Sequence, residues 1–219
     1  MFVNHMFVKA GENPPSPGAC LYEYLVGANG IHVRAHRPGL AVTIPLGEST
    51  SDPVRGLENI ETYVRLTDKI PYRLIEQILL RSLLHLPNER LFYLLPDPWR
   101  LVEPAAMATP GSVHPVDGFN QAAQAALVEI HSHGHLAAFW SGTDNKDETG
   151  LRLYGVLGGL PNRPTLRMRV GVYGHWYEID LMDICDVSDD SPLWPPAEPI
   201  EAEPVEALYV DLKDVGGEL

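Results

Sequence analysis

Two histidines separated by one residue are the side chains in this 219-residue chain that are best placed to do chemistry. His131 and His133 follow an apolar run that ends at Ile130, and this pattern predicts a β-strand that delivers both histidines. Side chains two residues apart on a strand point to the same side, so both imidazoles can face one point in space. Ser141 and Asp144 follow, and they share a face if the chain turns helical there. Two imidazoles and one carboxylate form a natural set of three protein ligands for a catalytic zinc ion, with the fourth position left to water.

The spacing of these residues is specific. With this composition, the pattern His-x-His, seven residues, Ser, two residues, Asp would arise by chance in about one chain in a thousand of this length. Other hydrolase families with a His-x-His pair fit less well. A metallo-β-lactamase-like site needs Asp-His just beyond the second histidine, where this chain has His135 and Leu136, and a cupin needs a glutamate that residues 136–138 do not supply. An amidohydrolase barrel needs a longer chain with the motif near its start.

The pattern resembles the JAMM (MPN+, JAB) metalloprotease motif, in which a glutamate is followed at a distance by His-Ser/Thr-His, seven residues, Ser, two residues and Asp. Residues 131–133 (His-Ser-His) and 141–144 (Ser-Gly-Thr-Asp) match it position for position, and residues 137–141 are similar to the bacterial branch. The resemblance covers residues 66–187. It implies an α+β fold with a mixed β-sheet of the MPN/JAB (cytidine-deaminase-like) type flanked by helices. The β-rich N-terminal extension lies outside this resemblance.

The family motif also needs an upstream glutamate, placed where the first long helix gives way to a strand. Glu89, in the sequence Leu-Pro-Asn-Glu-Arg-Leu-Phe of residues 86–92, occupies that place. Glu23 lies in a Glu–apolar–Gly strand that is also similar to the family, but it precedes the long helix and so breaks the expected order. Glu129 is close enough to His131 in sequence to be better placed behind the ligands than among them. The resemblance therefore favours Glu89 as the general base, with Glu23 as the alternative.

The resemblance implies a zinc-dependent metallopeptidase or isopeptidase that acts at the C-terminus of a ubiquitin-like or sulfur-carrier-like protein. In this interpretation His131, His133 and Asp144 bind Zn²⁺. Glu89 is the general base, and Ser141 donates a hydrogen bond to the developing oxyanion.

A wider resemblance concerns the chain as a whole, which is similar to the protein A family of bacterial cassettes that also encode ParB-related and ThiF-related proteins. This resemblance implies an E1/ThiF-like protein as a partner. The alternative function is a non-catalytic MPN scaffold that binds partners. Degenerate MPN domains usually lose the histidines or the aspartate, and this chain keeps all three, which favours the enzyme.

The elements that must position these residues are predicted from hydrophobic periodicity and turn residues. Three strands, joined first by an Asn29-Gly30 turn, make residues 1–60 a β-rich N-terminal region, with strands expected over 21–26, 30–35 and 40–46. A metalloprotease domain over 61–187 begins with a long helix over 70–86. Thr67 or Asp68 is expected to cap this helix, with Pro71 in its first turn.

The remainder of that domain is predicted as strands joined by loops. The expected strands cover residues 91–95, 100–102, 127–133, 151–157, 165–173 and 175–182. Residues 104–117 are predicted to be mostly loop, and residues 118–126 a helical turn. Phe139 and Trp140 are expected in the core, and Asp147 and Glu148 as solvated helix charge.

Composition excludes some functions. The formal net charge is −13, from 29 acidic and 16 basic residues, which disfavours nucleic-acid binding because an acidic surface repels phosphates. Cys20 and Cys185 imply no disulfide framework, so the cytoplasm is the predicted compartment. No stretch approaches ~20 apolar residues, so no membrane span is expected. Residues 188–219 are acidic and proline-rich and are predicted to form an extended or disordered tail.

Overall fold

The computed structural model describes residues 2–47, 52–116 and 121–187. The acidic tail predicted at 188–219 lies outside these residues. Strands dominate the described parts of the chain and short helices lie between them, so the α+β class is confirmed. In these same parts, every helix is too short or too polar to cross a membrane.

The N-terminal part of the chain forms a five-stranded sheet whose strands lie in chain order. The strands are β1 (Val3–Phe7), β2 (Tyr22–Gly27), β3 (Gly30–Arg37), β4 (Leu40–Pro45) and β5 (Tyr63–Leu66). β1 runs parallel to β2, and the other neighbours are antiparallel. The three strands predicted in this region are confirmed. The sheet extends beyond residue 60, because β5 pairs with β4, while the division into domains at that residue stays a prediction.

The next elements precede the histidine strand. They are β6 (Ile70–Pro71), α1 (Tyr72–Leu84), β7 (Leu91–Leu95), β8 (Arg100–Val102), β9 (Ala106–Thr109), β10 (Ser112–Pro115) and α2 (Gln121–Ala125). The hairpin β9–β10 shows that the prediction of loop over 104–117 is wrong. Its strands are only four residues long and carry few β-branched or large apolar residues, so their pattern is weak.

Helix α1 begins later than predicted. Its N-cap is Pro71, which has an extended backbone (φ −62°, ψ 123°) and makes no side-chain capping bond, so the predicted caps Thr67 and Asp68 are wrong. The reason is that Ile70 and Pro71 pair in parallel with a short strand late in the chain. The buried residues Leu74, Ile75, Ile78 and Leu79 follow the predicted helical period.

The remaining elements contain the histidine strand and complete the second sheet. They are β11 (Val128–Ser132), α3 (Asp144–Asp147), β12 (Leu151–Gly158), β13 (Thr165–Val172), β14 (His175–Ile179), α4 (Leu181–Ile184) and β15 (Cys185–Asp186). β14 ends before residue 182, contrary to the prediction, because the Asp180 side chain accepts a hydrogen bond from the Met182 backbone N–H and so caps α4.

The second sheet has six strands in the order β14-β13-β12-β11-β7-β8. β11 lies inside it, parallel to β12 and antiparallel to β7. One hydrophobic core joins both sheets and α1: Val33 and Val42 of the first sheet belong to the same cluster as Phe92 and Ile130 of the second. Arg37 adds polar contacts, because its guanidinium donates hydrogen bonds to three backbone carbonyls on either side of β11. The strand that carries the histidines is therefore fixed by neighbours in both sheets.

Candidate metal centre

Strand β11 and the residue that follows it bring the two imidazole rings close together. Val128 and Ile130 are fully buried on the core side of β11. His131 is the next residue after Ile130, so its side chain points to the opposite face of the strand. His133 comes directly after the strand, and its backbone N–H still donates to the Leu157 carbonyl of β12 (2.7 Å). The Nε2 atoms of His131 and His133 lie 3.0 Å apart.

The orientation of the His133 ring is set by the loop that follows it. Its Nδ1 lies 3.2 Å from the carbonyl oxygen of Ala137, an acceptor, so Nδ1 carries the hydrogen and Nε2 keeps a lone pair. The loop can approach this closely because Gly158 has no side chain: a Cβ there would lie 2.4 Å from the Ala138 nitrogen. Burial lowers the pKa of the neighbouring His131 to about 4, which keeps that imidazole neutral at physiological pH.

Ser141 and Asp144 form a reciprocal pair at the start of α3. The Ser141 backbone N–H donates to the Asp144 carboxylate Oδ2 (2.6 Å), and the Asp144 N–H donates to the Ser141 Oγ (3.1 Å). The two bonds have the reciprocal pattern of a capping box, but they lie in the turn that leads into α3, because Thr143 is the N-cap of this helix and Asp144 is its first residue. They leave Asp144 Oδ1 pointing to His131, whose Nε2 is 3.4 Å away, and they leave the Ser141 hydroxyl hydrogen available to a substrate.

The three predicted ligands form a group that can hold a metal ion. One ligand atom from each of His131, His133 and Asp144 lies within 4.8 Å of the others. Ligands about 2.0–2.1 Å from a tetrahedral zinc ion are separated from one another by roughly 3.3 Å. Two of the three separations, 3.0 Å between the imidazoles and 3.4 Å from His131 to the carboxylate, agree with that spacing, and the third, from His133 to Asp144, lies within 4.8 Å. The donor set and its spacing thus fit a single first-row metal ion.

Glu89 reaches the same cavity from the loop before β7. Ser132, between the two histidines, fastens this loop: its Oγ accepts from the Arg90 N–H and its N–H donates to the Arg90 carbonyl, both at 2.9 Å. The Glu89 N–H in turn donates to the Thr109 carbonyl of β9 (2.9 Å). Glu89 is 5% exposed, and burial, followed by the nearby charge of Asp144, raises its pKa to about 7.

The two other glutamates considered from the sequence have different partners. Glu23 is buried in the first sheet, where it forms an ion pair with Arg34 (2.6 Å) on the adjacent strand. Glu129 lines the cavity but is paired with Arg152 of β12. Among these three, Glu89 is the carboxylate that lies beside the ligand group without an arginine partner in the described residues.

These side chains line a cavity of ≈ 480 Å³. Hairpin β9–β10, which was missed in the sequence, contributes one wall, and Phe139 contributes another, with its ring edge-on to His133 at 4.7 Å between centroids. The prediction that Phe139 lies in the core is wrong, because the side chain is 43% exposed at the cavity. The floor carries Tyr93 and Tyr154, whose pKa values burial raises to about 12, so both phenols stay protonated.

The prediction of solvated charge after Asp144 is correct for Asp147 and wrong for Glu148. Glu148 is 4% exposed, lines the cavity, and pairs with Arg169 of β13. Burial raises the pKa of the Glu148 carboxyl to about 8, and the Arg169 charge acts in the opposite direction. His135 lies outside the ligand group, with its Nδ1 2.8 Å from the Leu160 carbonyl. No local pattern in the sequence indicates the pair of Glu148 and Arg169, because these residues are 21 positions apart.

Comparisons with known proteins identify no family for this chain. No protein-family model matches it, and no curated protein matches it. Among solved structures, it is similar to the solution structure of protein DSY2949 from Desulfitobacterium hafniense, with 17% identity over 49% of this chain and 86% of that chain, and a TM-score of 0.34. A likeness at that score carries no argument about fold or function.

Proposed function

We propose that this chain is a zinc-dependent hydrolase of peptide or isopeptide bonds, of the JAMM/MPN+ type, with an MPN/JAB-type core formed by the second sheet and α1. The observation that carries the proposal is the convergence of two imidazoles and a carboxylate with a separate glutamate in one cavity. The ligand group alone fits many metal proteins. The added glutamate, next to the ligands and with a pKa near 7, is what favours hydrolysis.

Each residue has a defined part in this chemistry. Zn²⁺ held by His131, His133 and Asp144 would supply Lewis acidity that polarises an amide carbonyl and acidifies water. The Glu89 carboxylate accepts the proton of the attacking water and returns it to the leaving amine. Ser141 donates its free hydroxyl hydrogen to the oxygen on which negative charge develops, while its Oγ keeps the hydrogen bond from Asp144. No side-chain nucleophile takes part.

The substrate and partners in the proposal rest on the resemblance of the motif. The substrate is the C-terminal tail of a ubiquitin-like or sulfur-carrier-like protein in the cytosol, and the partner is an E1/ThiF-like protein. The alternative is a scaffold that binds such proteins without cutting them. Retention of the complete ligand set together with a buried glutamate supports the enzyme, since a scaffold needs neither.

The test combines metal content with turnover on the full chain. Zinc is measured by mass spectrometry in the purified protein, and cleavage is followed with ubiquitin-like proteins that carry a C-terminal fluorogenic amide. Glu89→Gln is expected to keep zinc and to slow cleavage by about 10²–10⁴-fold, whereas His131→Ala is expected to lose both.

A second glutamate variant separates the two candidate bases. Glu23→Gln is expected to retain cleavage under conditions in which the variant is folded. Unchanged turnover in Glu89→Gln would remove Glu89 from the mechanism. Bound zinc with partner binding, but without turnover on any such substrate, would establish the scaffold instead.

A further inference from the structure

The segment that carries Ser141 and Asp144 has little regular structure of its own. Between β11 and β12 it contains one four-residue helix, α3. His131, by contrast, lies in a strand with hydrogen-bonded neighbours on both sides, and the backbone N–H of His133, directly after that strand, is still bonded to β12. The third candidate ligand therefore needs support from outside its own segment to stay at the distance found here.

Arg169 of β13 contacts residues on both sides of α3. On the N-terminal side of α3, the guanidinium carbon lies 4.0 Å from the centroid of the ring of Trp140, the residue directly before Ser141. On the C-terminal side, Arg169 donates from Nε (2.7 Å) and forms an ion pair from Nη2 (2.6 Å) to Oε2 of Glu148, directly after α3. Trp176 of β14 lies on the same guanidinium at 5.2 Å.

The charged pair at the centre of this cluster is buried. Arg169 and Glu148 are each 4% exposed. A guanidinium that is shielded from water binds a carboxylate and an aromatic face more strongly than an exposed one does, and its planar fork fixes the direction of both contacts. These contacts span residues 140–148, so they set where Asp144 can lie relative to β11.

We propose that Arg169 is a positioning residue that holds Asp144 at the metal centre, because it binds Trp140 before Asp144 and Glu148 after Asp144. This inference rests on the proposed metal centre and adds to it a residue outside the ligand set. It predicts that loss of the guanidinium weakens metal binding while the two histidines stay in place. Residues that orient ligands in this way typically change metal affinity by about 10–100-fold when they are mutated.

The effect of the Arg169 charge on metal affinity is opposite in sign to its effect through positioning. The positive charge of Arg169 lies beside the segment that carries Asp144, in contact with Trp140 and Glu148. Removing a positive charge near a cation site should by itself strengthen cation binding. Weaker binding in a variant without the guanidinium can therefore come only from lost positioning or lost folding, and not from the change in charge.

A matched control is available in the first sheet. Arg34 forms a comparable buried ion pair with Glu23, with side-chain exposures of 6% and 1%, against 5% for each partner of the Arg169–Glu148 pair. We compare Arg169→Met with Arg34→Met in the full chain, measuring Zn²⁺ affinity by competition with a chelator and the visible absorption of Co²⁺ bound in place of zinc. Arg169→Met is expected to bind about 10–100-fold more weakly with an altered Co²⁺ spectrum, and Arg34→Met to bind as the parent does.

Two further variants separate positioning from folding. In Arg169→Met combined with Glu148→Leu, no unpaired buried charge remains, so we expect the thermal midpoint to recover while metal affinity stays low. Should Arg169→Met not fold, Arg169→Lys takes its place, since it keeps the charge and loses the planar fork. Equal metal affinity in the Arg169 and Arg34 variants would overturn the inference and leave the metal centre intact. A parent protein that binds no metal would overturn both.

Discussion

The raised pKa of Glu89 leads to a measurable prediction for the metal-free protein. Its pKa rises from an ordinary 4.5 to about 7 because burial disfavours the charged carboxylate and Asp144 repels it. One unit of pKa corresponds to about 1.4 kcal/mol, so the ionised side chain destabilises the fold by about 2 to 3 kcal/mol, after a reduction for solvent in the open cavity. Glu89→Gln removes this charge, and we expect it to stabilise the metal-free protein by that amount at pH 8.

The pH dependence follows from the direction of the shift. Between pH 4.5 and pH 7 the folded chain keeps a proton on Glu89 that the unfolded chain has released. Stability falls with rising pH wherever the folded state binds more protons. The destabilisation by Glu89 therefore develops through this window, is complete above pH 7, and is absent below pH 4.5. The advantage of Glu89→Gln over the parent should vanish at low pH.

The assay is urea unfolding of both proteins with EDTA present, at pH 4.5 and at pH 8. His131, whose pKa is lowered to about 4, destabilises both proteins as the pH falls from 6.5 towards 4, and this effect cancels in the difference between them. Glu23→Gln is the control, because it breaks a buried ion pair and should lower stability at pH 8. A Glu89→Gln variant that is less stable than the parent at pH 8, or whose advantage is the same at both pH values, would refute the reasoning.

Three further predictions concern how the site is held in place. Gly134→Ala should lower the free energy of unfolding by about 1–3 kcal/mol in thermal melts, because φ is +54° there and a Cβ would lie 2.9 Å from the Pro87 carbonyl oxygen; an unchanged melt would contradict this. Arg37→Met should lower it by about 2–4 kcal/mol in urea, since three backbone carbonyls lose a charged donor; a change below about 0.5 kcal/mol would show that water replaces it. Ser132→Ala should lower it by about 1–2 kcal/mol and slow cleavage, because the Arg90 N–H loses its acceptor beside Glu89; full activity would show that this contact does not position the base.

Local patterns in the sequence predicted much of the fold. Apolar residues repeat with a clear period in the strands of the first sheet, in helix α1 and in the strands around β11. This periodicity is a local signal, so it predicts each of these elements. The start of α1 was misplaced because Pro71 is used in a strand pairing with residues more than a hundred positions away. No local signal reports such a pairing, and the same holds for the short hairpin β9–β10.

The candidate site divides in the same way. The proximity of His131 to His133 and of Ser141 to Asp144 follows from spacing along the chain, so the sequence predicts each pair. Whether the two pairs and Glu89 lie in one site depends on how β7, β11 and the loop after β11 pack. The prediction that they do rests on the resemblance of the motif. The ion pair of Glu148 with Arg169 is not predictable from the sequence, because a charged residue at the end of a short helix is usually solvated.

The uneven anchoring of the three ligands bears on the kinetics of metal exchange. His131 belongs to an interior strand, and His133 follows that strand directly with its N–H still bonded to β12. Backbone hydrogen bonds within an interior strand typically open only on global unfolding. Asp144 belongs to a short segment that can open while both sheets remain intact. A bound ion would then lose the carboxylate before it loses the two imidazoles. The residence time of the metal would follow the local opening rate of residues 140–148, and hydrogen exchange in that segment would report it directly.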